Sequence, residues 1–209
     1  GLTACMLVFG VSGFAGATLI TIGTAGYDSD GSDSIESGEY YNLIWDDDNN
    51  GNSLVWLDYS NISGEDPWST QNNWAKGLSL DPNFITLNGF AITWDDSTWR
   101  LPSAGANPSF GYDDTTSEMG HLFYDELGLD SFTDRGNQFI TTAELNATNF
   151  DNLVPYGYWT GTEQNLDEAW FFRMDYGYHN AFDKCHGCHL GIAVRSGQVS
   201  AVPVPGAIL

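Results

Sequence analysis

The stretch YYNLIWDDDNNGNSLVWLDY, residues 40–59, constrains the fold of this chain more than any other. Two runs rich in aromatic and branched residues, Tyr40–Trp45 and Ser53–Tyr59, flank a turn of Asp, Asn and Gly. These turn residues are common in hairpins because they tolerate the backbone angles that a tight turn requires. The sequence therefore predicts a β-hairpin here.

Two segments show helical periodicity. The first is Trp68–Leu78, and the second begins with Thr115 and Glu118, which have capping-box spacing, and ends at Gly128. Strand-like runs occur at 18–27 and, after the helices, at 156–163, 168–179 and 190–200. Early helices followed by several strands predict an α+β domain with a mainly antiparallel sheet.

The N-terminus has the features of a signal peptide, and residues 1–17 are assigned to it. An apolar run, Leu2–Phe14, precedes Ala15-Gly16-Ala17, which matches the A-x-A pattern of a cleavage site. The missing Met and basic flank indicate that the sequence is clipped at its start. We therefore expect export to the periplasm, the cell surface or the extracellular matrix. Cys5 would be removed with the signal peptide.

The charge balance limits the partners. The chain contains six Lys and Arg and 28 Asp and Glu. The resulting net charge of -22 repels nucleic acid and anionic lipid. Eight Trp and ten Tyr suit stacking on sugar rings, with Asp and Asn binding the hydroxyls. The candidate glycan-binding residues are Trp68, Trp94, Asp95 and Asp96.

The hairpin turn also offers a candidate calcium site. Asp46, Asp48 and Asn50 have the one-three-five oxygen spacing of a calcium loop. A full EF-hand is excluded because its twelfth position would be Leu57, which has no side-chain oxygen. The alternative is a hairpin turn without a metal.

The segment KCHGCHLG, 184–191, contains two Cys and two His, which are potential metal or haem ligands. Cys185, Cys188 and His189 spell the C-x-x-C-H of haem c attachment. With His179 and His186 they offer five donors for zinc or copper. A disulfide between Cys185 and Cys188, or two free thiols, are the other interpretations, and all remain open from the sequence.

No catalytic signature is found. The chain lacks G-x-S-x-G, H-E-x-x-H, P-loop and dinucleotide patterns. His121 lies on the second predicted helix near Glu118 and Asp125, but a lone helical His is more often solvated or packed than catalytic. The sequence thus favours a binding protein over an enzyme.

Several short blocks, taken in their order along the chain, resemble the Lcl C-terminal-like domain family. The resemblance covers roughly residues 39–198, after an N-terminal strand and polar loop at 18–38. The blocks are Asn42-Leu43-Ile44-Trp45-Asp46, Val55-Trp56-Leu57-Asp58-Tyr59, Trp99-Arg100-Leu101-Pro102, Glu118 through Leu127, Tyr158-Trp159-Thr160-Gly161-Thr162, Ala169-Trp170 and Ala193-Val194-Arg195.

The resemblance implies a C-type-lectin-like fold and a secreted or surface setting, with adhesion to sulfated polysaccharides in the best-known member. The acidity of this chain favours neutral or cationic ligands instead. We therefore expect an exported, non-enzymatic module for a glycan or another surface polymer in a biofilm matrix. A small monohaem cytochrome is the alternative.

The tail, 199–209, resembles the opening of a PEP-CTERM sorting signal. Pro203-Val204-Pro205 stands where that signal has Pro-Glu-Pro, and the sequence ends before a membrane span. If the signal is present, the resemblance implies an exosortase as the processing partner.

Overall fold

The computed structural model describes residues 18–203, apart from the side chains of residues 62–66. The predicted signal peptide with Cys5, and residues 204–209 of the predicted sorting signal, lie outside the described residues. The described part is built mainly of β-sheet with three short α-helices, which confirms the α+β class.

The elements follow one another with short connections, apart from four longer irregular stretches at 27–39, 95–110, 127–141 and 146–156. The strands are β1 (Leu19–Gly26), β2 (Tyr40–Asn49), β3 (Asn52–Asp66), β4 (Ile85–Leu87), β5 (Phe90–Trp94), β6 (Gly111–Tyr112), β7 (Gly157–Glu163), β8 (Glu168–Arg173), β9 (Tyr178–Asp183) and β10 (His189–Ala201). The helices are α1 (Trp68–Gly77), α2 (Glu118–His121) and α3 (Thr142–Leu145), with a 3-10 turn at Pro82–Phe84 and a π-helix at Leu122–Glu126.

The strands form one sheet in the order β4-β1-β2-β3-β10-β7-β8-β9-β6, and β5 pairs with β10 beside this path. Strand β10 runs antiparallel to β3 and β5, and it meets β7 in a parallel contact between Leu190 and Tyr158. Since β10 contacts three other strands, it joins the early hairpin to the late strands.

The predicted hairpin is confirmed and is longer than expected. Asn49 pairs with Asn52, and the two residues between them, Asn50 and Gly51, have φ values of 53° and 82°. Positive φ at both central positions defines the turn that matches the twist of the flanking strands. Asp48 supports the turn, because its Oδ1 accepts a hydrogen bond of 3.0 Å from the Gly51 amide.

Both predicted helices exist, but the second begins differently. Its N-cap is Ser117, which accepts a bond from the Gly120 amide, and not Thr115. Glu118 does not close a capping box because Arg100 binds its carboxylate through two bonds of 2.7 and 2.8 Å. A long-range ion pair thus replaces the local cap that the spacing predicts.

The sheet is covered on both faces. Neighbouring residues along a strand point to opposite faces, and the fully buried pairs Trp56/Leu57 and Tyr158/Trp159 each contribute to two different hydrophobic clusters. The helix α2 and the π-helix pack on the face of Trp56 and Tyr158, while α1 packs on the other. This explains why the central strands are long apolar runs rather than alternating ones.

Candidate functional site

The part of the sheet near its β6 edge presents an aromatic surface, which we call the aromatic face. Its residues come from β6, β8 and β9 and from the turn between β8 and β9, and they line a cavity of about 250 Å³. They are Tyr112, Phe171, Arg173, Tyr176, Tyr178 and Asn180.

Strand pairing places these side chains on one face. Phe171 lies opposite Asn180, and Arg173 lies opposite Tyr178. Tyr178 is in turn opposite Tyr112 of β6. Directly opposite residues of antiparallel strands point to the same side of a sheet, and residues two apart on one strand do so as well. Strand pairing therefore fixes every residue of the aromatic face except Tyr176, which lies in the turn between β8 and β9.

The rings are held at defined angles. Tyr112 and Tyr178 meet edge to face with their centroids 4.8 Å apart. The Arg173 guanidinium lies 4.8 Å from the centre of the Tyr176 ring, and its Nε donates to Asp175 Oδ1 at 2.7 Å. This hydrogen bond raises the pKa of Arg173. Arg173 is thus a fixed, charged donor at the rim.

This combination suits a sugar ring. The apolar face of a sugar packs against an aromatic plane, while a few placed polar groups bind its hydroxyls. The tyrosine hydroxyls, the Asn180 amide and the Arg173 guanidinium provide such groups, and each of these side chains is only partly buried. The aromatic face has the composition of a carbohydrate-binding surface.

The predicted glycan residues Trp68 and Trp94 lie elsewhere, and both are half-buried. The Arg195 guanidinium stacks 4.3 Å from the Trp94 ring centre. The Lys184 ammonium lies 5.2 Å from the Trp68 ring centre, and the indole Nε1 of Trp68 donates to Thr160 O at 2.7 Å. Each indole therefore has a cation over its ring, as Tyr176 of the aromatic face also has.

Asp95 and Asp96 are exposed beside Trp94. Asp95 accepts from Gln198 at 2.9 Å, and the Asp96 carbonyl accepts two bonds from Arg195. Trp94 and Arg195 also line a cavity of about 510 Å³ together with Lys76. Lys76 extends into a neighbouring cavity of about 440 Å³ that contains the Arg100–Glu118 pair. This side of the molecule concentrates three of the six basic residues, Lys76, Arg100 and Arg195.

The candidate calcium residues point to different partners. Asp46 is fully buried, with Oδ2 accepting from Asn49 at 2.8 Å and from the Trp56 indole at 3.1 Å. Asp48 is exposed and supports the turn, and Asn50 donates to Thr115 O at 3.0 Å. The hairpin turn accounts for Asp48 and Asn50 without a metal.

The five donors at 179–189 are spread apart. Among the described residues, no three of them bring ligand atoms within 4.8 Å of one another. His179 is fully buried, with Nδ1 3.1 Å from Asp114 Oδ2, and its burial lowers its pKa. His186 is exposed and pairs with Asp183. A zinc site at this place would require these side chains to move together.

The C-x-x-C-H residues also differ in their surroundings. Cys185 and Cys188 are exposed free thiols and form no disulfide in this structure. The His189 ring, by contrast, stacks on Phe171 at 4.0 Å and meets Trp159 edge to face at 4.7 Å. Burial and the charge of Arg173 lower its pKa to about 4. Ligation of a haem iron would require His189 to leave this aromatic packing.

Comparisons of this chain with protein-family models, with curated proteins and with solved structures found no match. Within the described residues, every helix is too short or too polar to cross a lipid bilayer.

Sequence reasoning did not identify the aromatic face. Its signal is the alternation of Phe171 and Arg173 on one strand and of Tyr178 and Asn180 on the next. All but Asn180 lie inside the run 168–179, which we predicted as one strand. The run divides at a turn where Gly177 has a φ of 67°. Folding back at this turn is what brings the two alternating sets together.

Proposed function

We propose that this protein is an exported or surface-anchored, non-enzymatic module that binds a glycan on its aromatic face. The observation that supports this most directly is the set of three tyrosines, Tyr112, Tyr176 and Tyr178, that line one cavity with Arg173 and Asn180. Aromatic planes with a few fixed polar groups are the usual means of binding sugars.

The proposal includes membership of the Lcl C-terminal-like family and a C-type-lectin-like fold. Three of the blocks that carry the resemblance lie side by side. Arg100 and Val194 exchange backbone hydrogen bonds of 3.0 and 2.9 Å, and the Gly161 amide donates to Pro102 O at 2.8 Å. The W-R-L-P, Y-W-T-G-T and A-V-R blocks are thus one packed unit, as expected if they define a shared fold.

The proposed setting is the extracellular matrix or cell surface of a bacterium that makes exopolysaccharide. The net charge of -22 keeps such a domain away from nucleic acid and anionic lipid. Since Arg173 is the basic residue of the aromatic face, the proposed ligand is a neutral sugar polymer or one that carries an occasional carboxylate.

The proposal is tested by affinity electrophoresis against a panel of neutral and uronic-acid polysaccharides. We expect retardation by at least one polymer, and we expect Tyr178→Ala to weaken binding about fivefold, because a stacked ring is worth about 1 kcal/mol. The control is Tyr40→Ala, since Tyr40 is an exposed tyrosine on β2, outside the aromatic face.

Two results would contradict the proposal. One is unchanged mobility of the wild-type protein in every polysaccharide of the panel. The other is equal weakening by Tyr178→Ala and Tyr40→Ala, which would indicate nonspecific adsorption. Near-ultraviolet circular dichroism of both variants verifies that each has folded.

A further inference from the structure

Three ligand-type side chains converge beneath the hairpin, on the side away from the aromatic face. Asp46 lies near the end of β2, His121 is the last residue of α2, and Glu126 is the last residue of the π-helix. One ligand atom of each lies within 4.8 Å of the others. We call these three residues the acid–histidine cluster.

The facing atoms of the cluster have no hydrogen-bond partner. Asp46 is fully buried and the Glu126 side chain is 1% exposed, yet Asp46 Oδ1, Glu126 Oε1 and His121 Nε2 are all unsatisfied. Leaving buried polar atoms unpaired is unfavourable, and a buried carboxylate is the most unfavourable case. Asn49 Oδ1, next to Asp46, is a fourth buried oxygen without a partner.

The distance between two of the three ligand atoms matches that around a metal ion. His121 Nε2 and Glu126 Oε1 are 3.4 Å apart. Two ligands bonded at about 2.1 Å to one tetrahedral ion lie about 3.4 Å from each other. A strong hydrogen bond between these groups would bring them closer, to about 2.8 Å.

The surrounding residues hold the ligands in place. His121 Nδ1 lies 3.1 Å from Asp125 Oδ2, so the carboxylate fixes the ring and directs Nε2 into the cluster. Asp46 Oδ2 is bound by Asn49 and the Trp56 indole, which leaves Oδ1 as its free ligand atom. A carboxylate behind a ligating histidine is the usual outer shell of a metal site.

The helix geometry adds to this. His121 and Glu126 are five residues apart and are spanned by the π-helix, where the Leu127 amide bonds back to Leu122 O at 2.9 Å. The wider π turn places residues four and five positions along near the same side chain, so His121 faces both Asp125 and Glu126. Single π turns occur frequently at functional sites.

A proton on His121 is the simplest alternative to a metal. It would give the imidazole a partner in Glu126, but it would leave Asp46 Oδ1 unpaired. The described chain has one other cluster of this kind, formed by Asp28, Asp30 and Glu39. Its carboxylates already accept hydrogen bonds from backbone amides, unlike Asp46 Oδ1. An additional ligand is therefore indicated at the acid–histidine cluster.

We propose that Asp46, His121 and Glu126 bind one divalent transition-metal ion of the Mn²⁺ or Zn²⁺ type, which ties the β2–β3 hairpin to the π-helix. Two carboxylate oxygens and one imidazole nitrogen suit these ions. Calcium prefers six to eight oxygens and is disfavoured by the imidazole. This site is independent of the glycan proposal.

The first test is Mn²⁺ binding by the full chain after removal of metals with EDTA, measured by electron paramagnetic resonance and equilibrium dialysis. We expect one tightly bound Mn²⁺ per chain, displaced by Zn²⁺. Zn²⁺ is measured with Cys185→Ser and Cys188→Ser in place, so that the exposed thiols do not contribute. Absence of bound Mn²⁺ and of bound Zn²⁺ would overturn the proposal.

Variants assign the site. We expect Asp46→Asn and Glu126→Gln to weaken Mn²⁺ binding at least about 100-fold, since each removes a ligand charge at nearly constant shape. Asp48→Asn is the matched control, because Asp48 is an exposed aspartate of the same hairpin. Equal weakening by Asp48→Asn, or unchanged binding in the first two variants, would contradict the assignment.

Crystals of the wild-type protein soaked in Mn²⁺ give a result that does not depend on how the variants fold. We expect the strongest anomalous difference peak between Asp46, His121 and Glu126. A strongest peak at Asp28, Asp30 and Glu39, or at the exposed Cys185 and Cys188, would overturn the proposal.

Discussion

Asp46 and Asp58 lie on the two strands of one hairpin and are both fully buried, and burial raises the pKa of each to about 6. Their partners differ. Both oxygens of Asp58 are occupied, because Asp151 N donates at 2.8 Å and Asn152 donates twice, at 3.1 and 3.3 Å. Asp46 has both of its bonds on Oδ2, and its Oδ1 has none.

The difference separates two uses of the same residue. Asp58 accepts hydrogen bonds from the backbone amides of Asp151 and Asn152. These bonds offset the unfavourable free energy of burying the Asp58 carboxylate. Asp46 is oriented by neighbours but faces two further unpaired ligand atoms. Equal burial and equal pKa therefore do not identify a binding site, whereas unpaired atoms that converge from several residues indicate one.

The largest effect is expected at the satisfied aspartate. Asp58→Ala leaves two backbone amides and one side-chain amide without an acceptor, and we expect it to lower the free energy of unfolding by about 3 kcal/mol. Urea denaturation at pH 7 measures this. The loss should be the same with EDTA and with Mn²⁺, and a loss that depends on metal would remove the distinction between the two aspartates.

A somewhat smaller effect is expected at Asp46, and it should depend on the metal. At free Mn²⁺ about 100 times its Kd, the wild-type protein should gain about 2.7 kcal/mol of stability over the same protein in EDTA. Asp46→Asn should gain almost none. Thermal unfolding with and without Mn²⁺ measures the difference, and an equal gain in both proteins would place the metal elsewhere.

The third expected effect concerns His189, whose two ring nitrogens are buried without partners but have no cluster of ligands around them. Its native pKa of about 4 lies below the unfolded value, so the unfolded chain takes up the proton first. Its contribution to stability is complete above pH 6.5 and is lost as the pH falls towards 4. Relative to His189→Phe, the wild-type protein should lose about 2 kcal/mol between pH 7.5 and pH 5.

Urea denaturation of both proteins across this pH range provides the measurement, and their difference cancels the contributions of the carboxyl groups that both share. Parallel pH profiles would show that His189 is not held neutral. They would also weaken the use of unpaired atoms as a guide, because His189 would then have a partner that the structure does not show.

Local signals predicted the parts of the fold that depend on local sequence. The hairpin of residues 40–59 follows from two runs of aromatic and branched residues and from the turn at Asn50 and Gly51, and α1 starts at Trp68 as expected. The predicted start of the second helix was wrong because Arg100, 18 residues away, binds the Glu118 carboxylate. No pattern within one segment contains that contact.

The candidate sites depend on such distant contacts even more. The aromatic face requires β6 to pair with β9, which brings Tyr112 to Tyr178 across 66 positions. The acid–histidine cluster requires the hairpin to pack on the π-helix, and in the sequence Asp46 belongs to a turn pattern while His121 is a lone helical histidine. Residue types suggested candidate side chains for the sites, but only the packing of strands and helices shows which of these side chains lie together.

The position of β10 in the sheet has a consequence for the order of folding. Residues 189–196 pair with β3, more than 120 positions earlier in the chain, and residues 197–201 pair with β5. The hairpin can form as soon as it is synthesised, but the sheet cannot close until this last strand is available. Such distant pairings make folding slow, in the range of milliseconds to seconds. During that interval the apolar edge of β3 is exposed, so this edge is where chaperone binding or aggregation would compete with folding.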